Sequence, residues 1–292
     1  MAPIVTLSEL IEAGTHFGHR VSRWNPKMKP FIYGKRNLIH ILDLRETVKG
    51  LVRAANFLER LAGQGGEVIF VGTKRQAKKL VAQEASRCGM HYVNERWLGG
   101  TLTNFQTIMS RLKRLEELET LEKGGMEEYS KKMGSSLRRE KKKIVRNLEG
   151  IRNMKRKPDA LVVIDPCLEH ICIKEAKKLG IPTICILDSN CDPDSADIAI
   201  PGNDDAFRSV QVLLGRLADA ILRGRGRYKT QLEEQKRQEE QRRVEEAKRQ
   251  EALRAAREAE MKRKKAEEEA AAKAGAAAAT GGAEAAAKKE GA

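Results

Sequence analysis

The sequence predicts an α/β protein that is built on a parallel β-sheet covered by helices on both faces. Short apolar segments alternate along the chain with segments of helical periodicity, which is the order that parallel βα units produce. These apolar segments show little alternation with polar residues, as expected of strands that are buried on both sheet faces. Apolar residues make up 40% of the chain but aromatic residues only 4%, so the core must consist mainly of Leu, Ile, Val and Ala.

The strands of the predicted sheet are five short segments, each followed by a turn or by a helical segment. They are EVIFVG at 67–72, MHYVN at 90–94, ALVVID at 160–165, IPTICILD at 181–188 and ADIAIPG at 196–202. Helical periodicity marks the segments 74–88, 168–180 and 204–224. Asp165 and Asp188 each end an apolar strand, and they should therefore lie at the carboxyl edge, where such sheets usually bind ligands.

The segment before this sheet is predicted to contain two helices and a pair of short strands. Capping boxes TLSE at 6–9 and DLRE at 43–46 start the two helices, and the second helix extends to about Ala62. Prolines break the stretch HFGHRVSRWNPKMKP at 16–30, which is predicted to be irregular. FIYGKRNLIHIL at 31–42 is expected to form two strands around a turn that contains glycine.

Residues 104–154 interrupt the alternation of strands and helices, and they predict an antiparallel helical hairpin that projects from the sheet. Apolar residues recur there at helical spacings, and a glycine-containing break separates two halves. The apolar residues are Ile108, Leu112, Leu115, Leu118, Leu121, Leu137, Ile144, Leu148 and Ile151. The break contains Gly124, Gly125 and Gly134. The two helices are therefore expected to close on one apolar seam as a coiled coil with charged outer faces.

The last part of the chain is a charged tail that almost lacks large apolar residues. Residues 229–292 hold 16 basic and 14 acidic residues, whereas residues 1–228 hold 40 and 27. Pairs of opposite charge four residues apart, such as Glu233 and Arg237, favour a solvated helix, and a disordered Ala/Gly-rich end should follow. The chain is thus predicted to have three parts: a sheet domain at 1–103 and 155–228, a hairpin at 104–154 and a tail at 229–292.

The charge of the chain predicts a polyanionic partner. The net charge is +15 and the pI is about 9.6, and residues 107–157 alone hold 16 basic and 8 acidic residues. No apolar run approaches the roughly 18 residues that predict a membrane span. The start, MAPIVTLSEL, lacks the basic and apolar regions of a signal peptide, so none is expected. The five cysteines, an odd number, predict reduced thiols in the cytosol.

Two segments carry side chains that suit contact with a nucleic acid. In the loop at 20–29, basic side chains surround an aromatic ring that can stack on a base. The candidates there are Arg20, Arg23, Trp24, Asn25, Lys27 and Lys29. In FVGTKR at 70–75 a strand gives way to a helix, and Lys74 and Arg75 would help such a turn to bind phosphate. This turn is neither a dinucleotide fingerprint nor a Walker A loop, and solvated basic segments remain the alternative at both places.

Metal binding and catalysis find little support in the residue patterns. Asp188, Asp192 and Asp204 lie in an acidic segment and could offer oxygen ligands to magnesium, but EF-hand spacing is absent and helix capping explains part of the segment. The cysteines lack the closely spaced pairs of a structural zinc site. No Ser-His-Asp order, nucleophile elbow or Gly-Lys-Thr loop is present, so we expect neither an enzyme nor a cofactor.

Several long motifs resemble one family, the bacterial ribosomal protein S2 family, whose members are the second protein of the small ribosomal subunit. They are HFGHRVSRWNPKMKPFIYGKRN, FVGTKRQA, NERWLGGTLTNF, IDPCLEHICIKEAKKLGIPTICILDSNCDPD and IPGNDDAFRSV, in this order. The resemblance spans about Thr6 to Gly224, and the tail has no counterpart in it. It implies a flavodoxin-like sheet domain with an inserted coiled-coil hairpin, on the solvent side of the small subunit near the junction of head and body.

The resemblance also implies partners and RNA-facing positions. The implied partners are ribosomal RNA, neighbouring small-subunit proteins and the large messenger-binding ribosomal protein S1, with no membrane contact, in a ribosome-bound, cytoplasmic protein. Beyond the loop at 20–29, the implied RNA-facing residues are Lys35, Arg36, Arg96, Trp97, Asn104, Arg138, Arg139, Lys141, Lys142 and Lys143. The alternatives are a cytosolic nucleotide-binding enzyme of flavodoxin-like fold and a free RNA-binding or membrane-surface relative of the family.

Overall fold

The computed structural model describes residues 5–124 and 130–243 together with residues 246 and 261. The chain divides into two units, Met1–Lys229 and Thr230–Ala292. Apart from short 3-10 turns, the elements of the first unit follow here in chain order. They are α1 (Leu7–Glu12), β1 (Phe17–Arg20), β2 (Ile32–Arg36), β3 (Ile39–Leu42), α2 (Leu44–Gly63), β4 (Val68–Val71), α3 (Lys78–Cys88), β5 (His91–Val93), α4 (Phe105–Gly124), α5 (Lys131–Leu148), β6 (Ala160–Ile164), α6 (His170–Leu179), β7 (Thr183–Leu187), β8 (Ile198–Pro201) and α7 (207–229).

Five of the strands form one sheet in the order β5-β4-β6-β7-β8. Every pair of neighbouring strands in it is parallel. Counted within this sheet, the order is second, first, third, fourth and fifth, which is the order of flavodoxin-like folds. The predicted α/β fold with a helix-flanked parallel sheet is therefore confirmed, and all five predicted strands form.

Side chains of this sheet alternate between two apolar cores, one on each face. Phe70 of β4 packs into the first core with Leu58 of α2 and Leu217 of α7. Ile69, its neighbour in the chain, packs into the second core with Ala176 of α6. Because both faces are covered, the central strands β4 and β6 are apolar throughout, and this explains why their sequences lack a polar alternation.

A second, antiparallel sheet of three strands, in the order β1-β3-β2, lies before the parallel sheet in the chain. The predicted pair β2 and β3 forms, but Gly34 lies within β2 and the turn is at Asn37 and Leu38. Both turn residues have positive φ, 49° and 60°, as the two-residue turns that suit hairpin twist require. The prediction that 16–30 is irregular is wrong for β1, which forms by pairing with the distant β3 and not through local propensity.

Helices α4 and α5 lie in the region that was predicted to form a hairpin. Leu115 of α4 and Leu148 of α5 are both buried. They belong to the same core as Ile69 and Val163 of the parallel sheet. The apolar stripe of this region therefore packs into the second core of the sheet as well as between the two helices.

The predicted glycine-containing break between these helices is placed differently in the structure. Ser130 starts α5, because its hydroxyl oxygen accepts a hydrogen bond from the backbone N–H of Met133 at 3.4 Å. Gly134 therefore lies inside the helix, and its assignment to the break is wrong. Gly124 is the last residue of α4, and Gly125 lies outside the described residues.

In the second unit, residues 230–243 are helical and exposed, and residues 246 and 261 are also helical. The rest of the predicted tail, including its Ala/Gly-rich end, lies outside the described residues. Among the described residues, no helix combines the length and the apolar character that crossing a membrane requires.

Gly50 of α2 allows this helix to lie close to β8, and its replacement tests this packing. A Cβ atom at Gly50 would lie 2.3 Å from the carbonyl oxygen of Ala199, a backbone atom that cannot rotate away. We expect Gly50→Ala to lower the free energy of unfolding by about 1–3 kcal/mol in urea denaturation, as overpacking does. Gly63→Ala in the same helix is the control, because its nearest contact would be at 3.8 Å. Equal losses for both variants would contradict this account.

Candidate functional site

A buried charge cluster lies at the carboxyl edge of the parallel sheet, centred on the ammonium group of Lys74. Lys74 follows β4, Asp165 directly follows β6, and Asp204 and Asp205 follow β8. The Nζ atom of Lys74 lies 2.9 Å from Asp165 Oδ2, 2.7 Å from Asp204 Oδ1 and 2.9 Å from Asp205 Oδ1. With His19 and Asp188, described below, these residues are called the Lys74 cluster.

Burial and ion pairing act against each other in this cluster. Burial disfavours the charged form of Lys74, but the carboxylates of Asp204 and Asp165 outweigh this effect and raise the pKa of Lys74 well above its usual value. Burial raises the pKa of Asp204 to about 7, although Lys74 opposes the rise. One ammonium group therefore does not fully compensate the buried carboxylates, and Asp204 titrates near neutral pH.

His19 of β1 connects the N-terminal sheet to this edge. Its Nδ1 atom lies 2.7 Å from Asp188 Oδ2, and its backbone N–H donates to the hydroxyl oxygen of Ser189 at 2.9 Å. The hydrogen bond to Asp188 raises the pKa of His19, although burial opposes it. Gly18 makes the close approach possible, since a Cβ atom there would lie 2.9 Å from Ser189 Oγ.

The three aspartates that were considered for magnesium do not act together. Asp192 forms an ion pair with Lys27 at 3.0 Å, whereas Asp188 and Asp204 belong to the Lys74 cluster. Within the described residues, His19, Asp204 and Asp205 could each offer one ligand atom to a cation, and these atoms lie within 4.8 Å of one another. The ammonium of Lys74 already forms ion pairs with Asp204 and Asp205, so the geometry explains these carboxylates as partners of a protein cation.

The turn after β4 does not present its lysine to a phosphate. The ammonium of Lys74 is surrounded by carboxylates and is only 15% exposed. The hydroxyl of Thr73 donates to the carboxylate of Glu169, and α3 begins only at Lys78. Lys74 is therefore a structural cation and its assignment as a phosphate ligand is not supported by its position, while Arg75 is exposed.

The loop from Trp97 to Thr103 is held by the carboxylate of Glu175 in α6. Glu175 accepts hydrogen bonds from the indole N–H of Trp97 at 3.2 Å and from the backbone N–H groups of Gly100, Leu102 and Thr103 at 2.7–3.1 Å. Burial opposes ionisation, but these donors keep the pKa of Glu175 below its usual value. Trp97 is only 4% exposed, so its ring offers little surface for stacking on a base.

The predicted basic loop at 20–29 contains both free and paired side chains. Arg20, Arg23 and Lys29 are exposed, and the two arginines line a cleft of about 490 Å³ beside the Lys74 cluster. Lys27 is exposed but forms ion pairs with Asp192 and Asp194.

The remaining predicted RNA contacts in and near this loop have different surroundings. The ring of Trp24 is half-buried and lies 5.1 Å from the ring of His40. Asn25 caps a 3-10 turn by accepting the backbone N–H of Lys27 at 3.0 Å. Exposed side chains continue this surface in β2, at Lys35 and Arg36.

The basic residues of α5 also divide into paired and free ones. Lys141 forms an ion pair with Glu122 of α4. No ion pair involves Arg138, Arg139, Lys142 or Lys143 within the part of the chain that the structure describes, and all four are exposed. Two further predicted contacts, Arg96 and Asn104, are exposed near the start of α4. Most of the free predicted contacts thus lie on the 20–36 segment and on α5, with Arg75 and Arg96 outside them, while the ammonium of Lys74 is largely enclosed by protein.

Sequence reasoning missed two structural carboxylates and the role of His19. Glu175 and Glu169 lie on or beside a predicted helix, and nothing in the sequence distinguishes them from solvated residues. His19 lies in a segment that was predicted to be irregular, so no pairing with Asp188 was expected. The strand-end positions of Asp165 and Asp188 and the acidic segment that contains Asp204 were signals of this cluster, but none of them predicted the contacts of Lys74.

His19 should titrate at a higher pH than the other histidines whose surroundings shift their pKa. Its contact with Asp188 favours the protonated ring, whereas burial lowers the pKa of both His16 and His91. We expect an NMR titration of the ring protons to place His19 above about 6.5, the ordinary value, and the other two below it. The substitution Asp188→Asn should lower the pKa of His19, because it removes the carboxylate that raises it. A His19 that titrates with His16 in the parent protein would refute this assignment.

Comparison with known proteins identifies the family. The chain matches the family described as Ribosomal protein S2 over residues 10–224. It is 55% identical over 226 residues to Small ribosomal subunit protein uS2 of Rhodopirellula baltica, which covers 77% of this chain and 87% of that relative. It is 54% identical over 222 residues to Small ribosomal subunit protein uS2c of Rhodomonas salina, covering 76% of this chain and 91% of the relative. The resemblance seen in the motifs is thereby confirmed, and the chain belongs to the ribosomal protein S2 family.

Proposed function

We propose that this chain is a structural, non-enzymatic component of the small ribosomal subunit that binds ribosomal RNA. The observation that carries the proposal is membership of the ribosomal protein S2 family over residues 10–224, with relatives named as small ribosomal subunit proteins. The electrostatics of the fold agree with this role, because the net charge of +15 leaves many cations without an internal partner.

The proposed RNA surface consists of the free cations of the 20–36 segment and of α5, together with Arg75 and Arg96. An exposed cation releases condensed counterions when it neutralises a phosphate, whereas a cation that is already paired gains little from the exchange. The proposed contacts are therefore Arg20, Arg23, Lys29, Lys35, Arg36, Arg75, Arg96, Arg138, Arg139, Lys142 and Lys143. Asn104 is a polar neighbour of this set, and Trp24 offers only part of its ring for stacking.

We further propose that α4 and α5 form an antiparallel coiled coil inserted at 104–154 into a sheet domain at 1–103 and 155–228. The ion pair of Lys141 with Glu122 and a second pair, Arg114 with Glu140, join the two helices and support this arrangement. In the proposal the coiled coil presents its free basic side chains to RNA. In the tail, residues 230–243 are helical and exposed, and we propose that the tail contacts a neighbouring protein or RNA.

The proposed protein partners are neighbouring small-subunit proteins, including the large messenger-binding ribosomal protein S1, in a ribosome-bound, cytoplasmic protein. An apolar groove of about 350 Å³ offers a surface for such a neighbour. Its lining includes Leu7, Ile11 and Tyr33, whose side chains are 50%, 55% and 80% exposed. Exposed side chains of this type are typical of contacts with another protein.

Sedimentation tests the assignment to the small subunit. We expect the full chain to sediment in moderate salt with bacterial small subunits that have been stripped of their own S2 protein. Small subunits that retain S2 are the control, and they should leave the chain in the supernatant because the binding place is occupied. Failure to sediment with the stripped subunits would contradict the proposal.

A salt titration tests how the chain binds RNA. The logarithm of its affinity for a fragment of small-subunit ribosomal RNA should fall steeply with the logarithm of salt concentration. The double variant Lys142→Gln and Lys143→Gln should flatten the slope by up to about two contacts, since each contributes a little under one unit. Lys141→Gln is the matched control and should change the slope little, because Glu122 already neutralises Lys141. A salt slope near zero in the parent protein would overturn the assigned surface. A change of slope in Lys141→Gln as large as that of the double variant would do the same.

A further inference from the structure

We propose that Cys167 and Cys191 form an oxidation site, at which a hydroperoxide oxidises Cys167 and Cys191 then closes a disulfide bond with it. Cys167 lies in the turn after β6, and Cys191 lies in the loop after β7. These strands are neighbours in the parallel sheet, so their carboxyl-end loops bring the two thiols together although 23 residues separate them in the chain. The inference is independent of the proposed RNA binding.

The two sulfur atoms lie within reach of each other. The Sγ atoms of both cysteines and a carboxylate oxygen of Asp165 all lie within 4.8 Å of one another. The Sγ atom of Cys191 lies 3.6 Å from Asp165 Oδ1, and the Sγ atom of Cys167 lies 3.7 Å from the carbonyl oxygen of Asn190. Rotation of side chains and a small loop movement can therefore bring the sulfurs to bonding distance.

Asp165 fixes the position of the turn that carries Cys167. Its Oδ1 atom accepts hydrogen bonds from the backbone N–H groups of Cys167 at 3.0 Å and Leu168 at 3.3 Å. Its Oδ2 atom is held by Lys74 at 2.9 Å, and its own backbone has a positive φ of 57°. The sharp turn is thus over-determined by these contacts, which keep Cys167 beside Cys191.

Exposure distinguishes this pair from the other cysteines. Cys167 is exposed and Cys191 is buried directly behind it, whereas Cys88, Cys172 and Cys185 are all buried. A hydrogen bond from Cys191 lowers the pKa of Cys167, so the accessible thiol is also the more acidic one. Burial raises the pKa of Cys88 to about 11 and that of Cys185 to about 12. A water-soluble oxidant should therefore react first at Cys167.

The reaction proceeds in two balanced steps. In the first, the Cys167 thiolate attacks one peroxide oxygen, the O–O bond breaks, and the leaving alkoxide or hydroxide takes up a proton. The sulfur becomes a sulfenic acid and is oxidised by two electrons, while the peroxide is reduced to an alcohol or water. In the second, the Cys191 sulfur attacks the Cys167 sulfur and the S–O bond breaks. Hydroxide leaves and combines with the proton of Cys191 as water, and an excess of a small thiol reverses the bond.

The bond would change the surroundings of the Lys74 cluster. Cys191 would give up its contact with Asp165 Oδ1, and the loops after β6 and β7 would be joined covalently. Since Asp188 lies in the second loop and Asp165 precedes the first turn, oxidation would act on the edge of the sheet at which His19 is held.

Peptide mapping of the full chain tests the proposal. The protein is treated with hydrogen peroxide, its remaining thiols are alkylated, and the digest is analysed without reduction. Cleavage after Glu169 separates Cys167 from Cys172, and cleavage before Asp188 separates Cys185 from Cys191. We expect a peptide pair linked through Cys167 and Cys191 that disappears on treatment with dithiothreitol.

Variants separate the two steps. In Cys191→Ser, a dimedone probe should trap Cys167 as the sulfenic acid because no second thiol resolves it. Cys167→Ser should remove both the linked peptide and the dimedone adduct, and Cys88→Ala, a change at a buried cysteine, should remove neither. The parent protein is folded, so its result is decisive. If peroxide leaves its Cys167 unmodified, or if the disulfide-linked peptides contain mainly other cysteines, the proposal is overturned.

Discussion

One buried ammonium group joins the segments that meet at the carboxyl edge of the parallel sheet. Lys74 follows β4, and its partners Asp165 and Asp204 follow β6 and β8, so a single cation joins its own segment to two others. Two nearby buried carboxylates would repel each other without it, and removing one member of such a group typically costs about 3–5 kcal/mol. The geometry of this edge therefore depends on Lys74 being present and charged.

This constraint gives the edge a structural role. Open α/β sheets usually bind ligands at the carboxyl ends of their strands, whereas here the carboxylates at these ends have protein cations as partners. His19 and Gly18 of β1 connect this cluster to the N-terminal sheet through their contacts with Asp188 and Ser189. The electrostatics that would serve a small-molecule substrate in a flavodoxin-like enzyme thus hold two sheets together, which agrees with a protein whose function lies on its outer surface.

The sequence predicts most of the fold but few of the contacts in the Lys74 cluster. The parallel strands were predictable because burial on both faces leaves an apolar run, and the strand ends located Asp165 and Asp188. Strand β1 was not predictable in this way, because it forms by pairing with β3, which lies some twenty residues further along the chain. Lys74 was assigned to RNA because its residue type and its turn suit phosphate, and Trp97 because the family resemblance implies it, but their partners Asp204 and Glu175 are distant in the chain. A local pattern carries no information about such contacts.

Ion pairs within the fold also determine which basic side chains are available to bind a polyanionic partner. Lys27, Lys74 and Lys141 contribute to the net charge as fully as any other lysine, yet each already has a carboxylate partner in the fold. Arg23 and Lys142 are exposed and have no such partner among the described residues. Because counterion release depends on the cations that are free to meet a phosphate, the net charge overstates the number of cations that are available to a polyanionic partner. The basic side chains thus divide into two kinds: structural cations such as Lys27, Lys74 and Lys141, and exposed cations such as Arg23 and Lys142 that remain available to a polyanion.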